Sequence, residues 1–358
     1  MRDFVYKKSK ITVQKRIRIL ENRDLIRGIR LNRNERVENF DRKILPKIFN
    51  SVKDYELGKY PDQSNIYKLL SKYLKLREEN FLITSGIDGS IKSIFEIFTD
   101  KDNKVAVLSP TYAMYEVYGK IFQTKIIKIC YKNFKLDKEQ FYKTIQKAEI
   151  DILFIPNPNQ PIEDNFSLKE LKKISKLCSK KKILLVVDEA YHMFGSDTAA
   201  SLCRNLKNII VLRTFSKSFG LPSIRFGYVI AHKEIIEIFN TYRLSYESNL
   251  LSDKVVEYFI KNKKEVNNYI EKVKKGRDYL KRELKKIKIE VIGGKSNFLL
   301  INFKDKNLLK KILKKFSLKK IYVKSNYQGD LQTCILITCG YVKTMKKVLE
   351  IIRSEVTK

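Results

Sequence analysis

Short apolar runs alternate with helical patterns along most of this chain, and this alternation restricts the possible folds more than any other feature. Seven runs have the length and apolar character of buried strands: 81–84, 104–108, 125–129, 151–155, 183–187, 209–213 and 228–231. Helical patterns such as 90–98 and 167–180 lie between them. Strands that alternate with helices form a mainly parallel sheet that is covered on both faces. The sequence therefore predicts an α/β fold.

A second, smaller unit is predicted beyond these strands. Residues 250–286 carry apolar side chains at helical spacing and are predicted to form a long helical connection. Four further strands are predicted at 289–291, 298–302, 321–324 and 334–338. The chain has 358 residues, of which 43% are hydrophobic, so it can bury a large core and a smaller one. We expect an N-terminal arm with part of the small domain at 1–40, a large domain at 41–245, and a C-terminal α+β domain at 246–358.

Lys217 lies in a polar segment between two of the predicted strands. The segment reads Arg213-Thr-Phe-Ser-Lys217-Ser-Phe-Gly-Leu-Pro-Ser-Ile-Arg225, with a hydroxyl at Ser216 and an arginine eight residues after the lysine. Upstream, a predicted buried strand ends at Asp188. A lysine that binds a carbonyl covalently, an anion-binding arginine with a hydroxyl, and a carboxylate for a ring nitrogen are the groups that hold pyridoxal phosphate. The sequence therefore predicts a site for this cofactor.

An ordered set of motifs gives the chain a resemblance to a known family. The motifs are Tyr60-Pro61, Ser85-Gly86, Pro110-Thr-Tyr112, Asn157-Pro-Asn-Gln-Pro161, Asp188-Glu-Ala-Tyr191 and Lys217…Arg225. With them the chain resembles the class I and II aminotransferases, and among these the histidinol-phosphate aminotransferase branch, over about residues 31–338. The resemblance implies the aspartate aminotransferase fold, with a large mainly parallel-sheet domain and a smaller α+β domain. It also implies pyridoxal phosphate as the cofactor.

The resemblance also implies roles for individual residues. Lys217 is expected to bind the cofactor covalently, Asp188 to pair with its ring nitrogen, and Tyr191 to donate to its phenolate oxygen; these are the expected catalytic residues. Further cofactor contacts are expected from Gly86, Ile87, Asp88, Tyr112, Asn159, Gln160, Ser216, Arg225 and Tyr60. Tyr60 is expected to reach the cofactor phosphate of a second subunit. The resemblance therefore implies a homodimer whose active sites are shared between subunits.

Gln160 departs from the family pattern, because it stands where an asparagine normally binds the phenolate oxygen. The amide is kept, but its reach is one methylene longer. We therefore expect that cofactor binding survives with altered ring electronics, and that Asn159 could take over the role instead.

Leu336 is a second departure, because it stands where the family has an arginine for the substrate α-carboxylate. A leucine cannot bind a carboxylate, so either the substrate lacks one at this position or another cation replaces the arginine. Lys324, Arg33 and Arg36 are the candidate cations. We expect Lys324, Arg33 and Asn34 to contact the substrate.

The net charge of +34 raises the possibility of nucleic-acid binding. The lysines are spread over predicted helix faces without a recognition motif, so a preference for small anionic substrates is expected instead. The chain has five cysteines without a CxxC pair and two histidines, so no metal site is expected. No signal-peptide pattern or membrane span is evident. These features favour a cytoplasmic protein without membrane contacts.

The leading hypothesis for function is a transaminase that acts on a small phosphorylated amine or amino alcohol. The alternative keeps the cofactor but changes the reaction, to the decarboxylation of an O-phosphorylated amino acid. A third hypothesis is a basic nucleic-acid-binding protein that has lost its chemistry. The complete set of Lys217, Asp188 and Arg225 argues against the third.

Overall fold

The structure, a computed structural model, describes residues 28–356. Its strands are β1 (Ile29–Leu31), β2 (Phe81–Thr84), β3 (Lys104–Ser109), β4 (Lys125–Cys130), β5 (Ile152–Pro156), β6 (Leu184–Asp188), β7 (Ile209–Thr214), β8 (Gly227–Ala231), β9 (Glu290–Ile292), β10 (Phe298–Asn302), β11 (Ile321–Val323) and β12 (Cys334–Thr338). Each strand predicted from the sequence is present, with ends that differ by one residue at most.

The helices fall mainly between the strands, as the alternation predicted. They are α1 (Ile44–Phe49), α2 (Asp54–Leu57), α3 (Ser64–Leu74), α4 (Gly86–Phe98), α5 (Met114–Ile121), α6 (Lys138–Lys147), α7 (Leu168–Lys180), α8 (Lys233–Tyr242), α9 (Leu250–Lys261), α10 (Lys263–Lys286), α11 (Lys306–Leu318) and α12 (Val342–Val356). No helix within residues 28–356 is both long enough and apolar enough to cross a membrane.

A seven-stranded sheet forms the centre of the molecule, in the order β2-β8-β7-β6-β5-β3-β4. Only β8 runs antiparallel to its neighbours, and the other pairs are parallel. The mainly parallel sheet predicted from the sequence is therefore confirmed. The carboxyl ends of β2, β3, β5, β6 and β7 lie at one edge, where β8 begins, so the loops after these strands meet there.

Both faces of the sheet are buried, because alternate residues of each strand enter different apolar clusters. In β6, Leu185 and Val187 pack into the larger cluster and Val186 packs into the smaller one. Apolar residues of α4 and α5, among them Ile91 and Tyr115, cover the second face. This two-sided burial explains why β5, β6 and β7 read as continuous apolar runs rather than alternating ones.

A three-stranded antiparallel sheet, in the order β12-β10-β9, lies in the C-terminal part of the chain. The first described strand, β1, pairs in parallel with β11, so residues 29–31 join this part of the molecule. The predicted N-terminal arm lies mostly at residues 1–27, outside the described residues.

The long helical stretch predicted at 250–286 is two helices that meet at Asn262. The backbone of Asn262 leaves the helical region at φ −105° and ψ 50°. Its backbone N–H and its side-chain amide both donate to the Tyr258 carbonyl, at 2.9 and 2.8 Å. Asparagine competes in this way for the backbone groups at a helix end, which the apolar spacing alone could not indicate.

Gly276 lies where α10 packs closely against the backbone just before α12. A Cβ at this position would lie 2.0 Å from the Gly340 carbonyl oxygen. Alanine is normally the better helix former by about 1 kcal/mol, but this contact is with backbone, which cannot rotate away. We expect Gly276→Ala to lower the free energy of unfolding by about 1–3 kcal/mol in denaturant titrations.

Gly58→Ala is the matched control, because a Cβ there meets nothing within 4 Å. Its free energy of unfolding should stay within about 0.5 kcal/mol of the parent. A Gly276→Ala protein more stable than the parent would contradict the packing argument, since helix propensity alone predicts that gain.

Candidate active site

A cavity of about 750 Å³ lies where the loops after β2, β3, β5, β6 and β7 meet. Residues 32–35 after β1, Val323 at the end of β11 and residues 324–326 after it also line the cavity, and they come from the part of the molecule that contains the C-terminal sheet. The predicted site residues that line it are Arg33, Asn34, Ile87, Asp88, Tyr112, Gln160, Asp188, Tyr191, Ser216, Lys217, Arg225 and Lys324. Residues up to 294 positions apart in the sequence therefore converge here, because Asn32 and Asn326 border the same space.

Asp188, at the end of β6, is buried and holds two hydrogen bonds. Its Oδ2 accepts from the Tyr115 hydroxyl at 2.7 Å, and its Oδ1 accepts from the Ala190 backbone N–H at 3.0 Å. Burial raises the pKa of Asp188 to about 6, although both hydrogen bonds and the charge of Lys217 act in the opposite direction. A cationic ring nitrogen beside it would favour the ionised carboxylate, so this site suits a protonated pyridine.

Tyr191, Gln160 and Asn34 form one hydrogen-bonded cluster at the cavity wall. The Tyr191 hydroxyl donates to Gln160 Oε1 at 2.9 Å. Asn34 Nδ2 donates to the Tyr191 oxygen at 3.0 Å and to Gln160 Oε1 at 3.2 Å. The longer glutamine side chain is therefore held in place by two donors. Asn34, expected to contact the substrate, also supports the residues expected to contact the cofactor.

The side-chain amide of Asn159, considered from the sequence as a replacement for Gln160 at the phenolate oxygen, is hydrogen-bonded inside the loop. Its Oδ1 accepts from the Thr111 hydroxyl at 2.8 Å. Its Nδ2 donates to the backbone carbonyls of Pro110 and Ile162, both at 3.1 Å. The side chain is fully buried and joins the loops after β3 and β5. Both amide hydrogens of Asn159 are used inside the loop, so this geometry favours Gln160 over Asn159 for the phenolate oxygen.

Lys217 follows β7 and reaches across the cavity to the segment 32–35. Its Nζ donates to the carbonyl oxygens of Arg33 and Asn34, both at 3.2 Å. Burial lowers the pKa of Lys217 to about 8, Glu35 acts to raise it, and Arg225 acts to lower it. An amine with this pKa is partly neutral near physiological pH, which a nucleophile or base requires.

Glu35 is a site residue that the sequence analysis missed. It lines the cavity, pairs with Arg30, and its negative charge acts to raise the pKa of Lys217 more strongly than that of Asp188 does. The sequence carried no signal for it, since its approach to Lys217 depends on the pairing of β1 with β11.

Arg225 is fixed at the opposite end of the cavity by backbone groups. Its Nη1 donates to the Pro222 carbonyl at 3.0 Å and its Nη2 to the Ser85 carbonyl at 3.4 Å. Gly86 lies directly against this guanidinium, with a φ of +71° and a Cβ position only 2.7 Å from Nη2. Any side chain at Gly86 would therefore push Arg225 away and would strain the backbone. Gly86 contributes space and conformation here.

The N-terminus of α4 and two hydroxyls complete this end of the cavity. Ile87 and Asp88 lie in the first turn of α4, whose free backbone N–H groups favour anions. The Ser216 hydroxyl accepts from Thr214 at 2.9 Å. Asp88 Oδ1 is buried and has no hydrogen-bond partner among residues 28–356, so the backbone of Asp88, and not its carboxylate, suits an anion.

Tyr60 and Leu336 lie outside the cavity-lining set. Tyr60 is 79% exposed and stacks on Tyr246, with ring centroids 4.7 Å apart. Leu336 is fully buried in β12, and its backbone exchanges hydrogen bonds with Lys324 at 3.1 and 2.8 Å. Lys324 thus lies directly beside the strand position where the family carries its arginine. Burial, and then Arg33, lowers the pKa of Lys324.

These groups fit pyridoxal phosphate. Asp188 suits its ring nitrogen, the cluster of Tyr191 and Gln160 suits its phenolate oxygen, and the α4 terminus with Arg225 suits its phosphate. Lys217 lines the same cavity and suits the cofactor carbonyl. In the described part of the chain, no cluster of histidine, cysteine or acidic residues could hold a metal ion instead.

Comparisons with known proteins agree with this geometry. The profile of the family "Aminotransferase class I and II" matches residues 50–352. Histidinol-phosphate aminotransferase from Clostridium novyi (strain NT) is 30% identical over 331 residues, which are 91% of this chain and 91% of that protein. The enzyme of the same name from Thermoanaerobacter pseudethanolicus is 32% identical over 283 residues, 77% of this chain and 79% of that protein.

A solved structure shows the same fold. Histidinol-phosphate aminotransferase from Sinorhizobium meliloti, in complex with pyridoxal 5'-phosphate, matches with a TM-score of 0.81 over 91% of each chain, at 19% identity. From the family match and from relatives at about 30% identity over most of its length, the chain belongs to the class I and II aminotransferases, which are pyridoxal-phosphate-dependent enzymes.

Proposed function

We propose that this aminotransferase acts on a small phosphorylated amine or amino alcohol, of which histidinol phosphate is the leading candidate. The observation that carries the proposal is the charge pattern of the substrate side. Lys324 and Arg33 line the cavity there, whereas Leu336 leaves the family's carboxylate-binding position apolar. Two adjacent cations suit a phosphate, and an amino alcohol has no α-carboxylate to bind. The names of the relatives from Clostridium novyi and Thermoanaerobacter pseudethanolicus support the same substrate.

Pyridoxal phosphate, when bound, acidifies the C–H bond next to the substrate nitrogen and carries the amino group between two substrates. Asp188 keeps the ring nitrogen protonated, since its buried carboxylate gains most from a cationic partner. Arg225, Ser216 and the first turn of α4 hold the phosphate and fix the orientation of the ring. Tyr112, which lines the cavity beside them, supplies the aromatic face expected to stack on the ring.

Lys217 is the group proposed to move the substrate proton. Its Nζ lies between the carbonyls of residues 33 and 34 and the cavity, and burial keeps its pKa near 8, within reach of the neutral form. With the cofactor bound, the neutral amine of Lys217 would accept the proton from the substrate carbon at Nζ and would hold it for return. Tyr191 and Gln160 steady the phenolate oxygen while this happens.

The test is the chemical state of cofactor and amine after one turnover. The loaded protein would be mixed separately with histidinol phosphate, another amino-alcohol phosphate, serine O-phosphate and glutamate, and the products identified by mass spectrometry. Pyridoxamine phosphate with a carbonyl product from an amino-alcohol phosphate is the expected result. Lys217→Ala should slow this conversion at least about a hundredfold, whereas Lys92→Ala, at an exposed pair with Glu96, should not.

Decarboxylation is also consistent with a leucine at position 336, where the family has an arginine. An O-phosphorylated amino acid would find no arginine for its carboxylate, because buried Leu336 stands where the family has that cation, and a decarboxylase requires an unpaired carboxylate. Unchanged pyridoxal phosphate together with an amine shorter by carbon dioxide, from serine O-phosphate, would replace the transaminase proposal with this one.

The pH dependence of cofactor attachment tests the environment of Lys217. Only the neutral amine attacks the cofactor carbonyl, so the rate should rise with pH and level off above about 8. Glu35 acts to raise this pKa, so Glu35→Gln should move the midpoint of the rate to lower pH. The measurement is stopped-flow absorbance of the covalent adduct between pH 6 and 10.

Glu96→Gln, which removes a charge in an exposed pair on α4, is the control and should leave the midpoint in place. A midpoint that Glu35→Gln leaves unchanged, or moves to higher pH, would remove Glu35 from the site.

We also propose that the active protein is a cytoplasmic homodimer with shared active sites. Large apolar side chains are exposed on two neighbouring segments, among them Leu45, Phe49, Leu57, Tyr242 and Leu244. The segments lie side by side, because Tyr60 stacks on Tyr246 and Lys254 pairs with Glu56 at 2.9 Å. An apolar surface of this kind supports contact with a second copy, which would bring Tyr60 to the other subunit's cofactor phosphate.

Subunit complementation tests the shared site. Tyr60→Ala and Lys217→Ala should each be nearly inactive as homodimers. Co-expression should restore activity, since a mixed dimer joins an intact Lys217 with an intact Tyr60 in one of its two sites. Activity no higher than that of the separate variants, in dimers shown to be mixed, would confine each site to one chain.

The domain division is a further proposal. We place the large domain at 41–245 and the small domain at 246–358, with part of 1–40 joined to the latter. Its support is that the seven-stranded sheet lies within 81–231 and the three-stranded sheet within 290–338.

A further inference from the structure

We propose that Tyr115 is a positioning residue, which keeps the Asp188 carboxylate ionised and aimed at the cofactor ring nitrogen. This inference rests on the role proposed above for Asp188. It adds a residue from a different element, since Tyr115 lies on α5 after β3, whereas Asp188 ends β6.

The contact between the two residues is buried and well defined. The Tyr115 hydroxyl donates to Asp188 Oδ2 at 2.7 Å, and the relative exposures of the two residues are 0% and 5%. The Tyr115 ring is held by stacking on Phe154, with centroids 4.8 Å apart, and by an edge contact with Tyr112 at 5.9 Å. A hydroxyl on so restrained a ring fixes the orientation of the carboxylate that it binds.

The charge of Asp188 is set by a balance in which Tyr115 has a large part. Burial and the neighbouring Glu189 favour the neutral carboxyl. The Tyr115 hydroxyl, the Ala190 N–H and the charge of Lys217 favour the carboxylate. Burial, and then the charge of Asp188, raises the pKa of Tyr115, so its hydroxyl keeps its proton and remains a donor. Without this donor, Asp188 would take up a proton at a higher pH and would lose its attraction for a ring cation.

One short turn supplies both aromatic residues. Tyr112 precedes α5 and Tyr115 lies in its first turn, where the Tyr115 N–H donates to the Tyr112 carbonyl at 3.3 Å. The ring expected to stack on the cofactor and the hydroxyl that orients its carboxylate partner are therefore set by the same piece of backbone. A ring bound between them would be aligned by both.

Tyr115→Phe tests the inference, because it removes the hydroxyl and leaves the ring. The measurement is the equilibrium affinity for pyridoxal phosphate between pH 5 and 9. The affinity of the variant is divided by that of the parent at each pH, because the titration of Lys217 affects both proteins equally and cancels in this ratio. We expect an affinity about tenfold weaker at pH 7, with the loss growing toward low pH and shrinking toward pH 9. An equal loss at every pH, or no loss, would overturn the inference, since lost packing alone does not depend on pH.

Tyr118→Phe is the matched control, since it removes a hydroxyl from another buried tyrosine of α5 that does not line the cavity. Its affinity should follow the parent at each pH. The Tyr115→Phe change should also have no further effect in an Asp188→Asn background, because its action passes through the carboxylate.

The Asp188→Asn protein separates the two proposals. If the Asp188→Asn protein bound pyridoxal phosphate as tightly as the parent, the proposed cofactor role of Asp188 itself would be wrong. Weak affinity in Asp188→Asn, combined with parent-like affinity and pH dependence in Tyr115→Phe, would remove only the role of Tyr115.

Discussion

The buried ion pair between Glu189 and Arg213 joins the two central strands on which the active site depends. Its side chains are 0% and 10% exposed, and Arg213 donates to Glu189 Oε2 at 3.0 Å. Thr198 and the Ala199 N–H also donate to Glu189, so both carboxylate oxygens are bonded. Removing one partner of such a pair costs about 3–5 kcal/mol. Asp188 directly precedes Glu189 and Lys217 follows Arg213 by four residues, so the pair connects the two strands after which Asp188 and Lys217 lie.

Burial shifts the pKa values of Asp188 and Lys217 in opposite directions. It raises the pKa of Asp188 to about 6 and lowers that of Lys217 to about 8, so the charged form of each side chain is less favourable than in water. A cofactor with a cationic ring nitrogen and a carbonyl relieves both costs at once, because one group gains a counter-ion and the other a covalent partner. The burial that makes both charges unfavourable in the free protein therefore favours cofactor binding.

The departures from the family pattern lie around the substrate and the phenolate oxygen, and hydrogen bonding compensates for one of them. Gln160 keeps its amide engaged with Tyr191 and Asn34, so the polar cluster survives the longer side chain. Leu336 is different, since its strand position has become part of the apolar core. Positive charge on this side comes from Lys324 and Arg33, on segments that the pairing of β1 with β11 brings together. At the end of the cavity proposed for the cofactor phosphate, Arg225 lies directly against Gly86.

The strands, the α/β class, the family and the cofactor could all be predicted from the sequence, because local residue patterns indicate them. Buried parallel strands are continuous apolar runs, and most of the cofactor residues follow directly after them. The side chains that face the cavity could be identified only from the fold, because long-range packing sets their orientation. Asn159 and Gln160 are neighbours in one loop, yet one joins two loops and the other faces the cavity. Tyr115 donates to Asp188, 73 residues away, and the charge of Glu35 acts on Lys217, 182 residues away; no local pattern indicates either interaction.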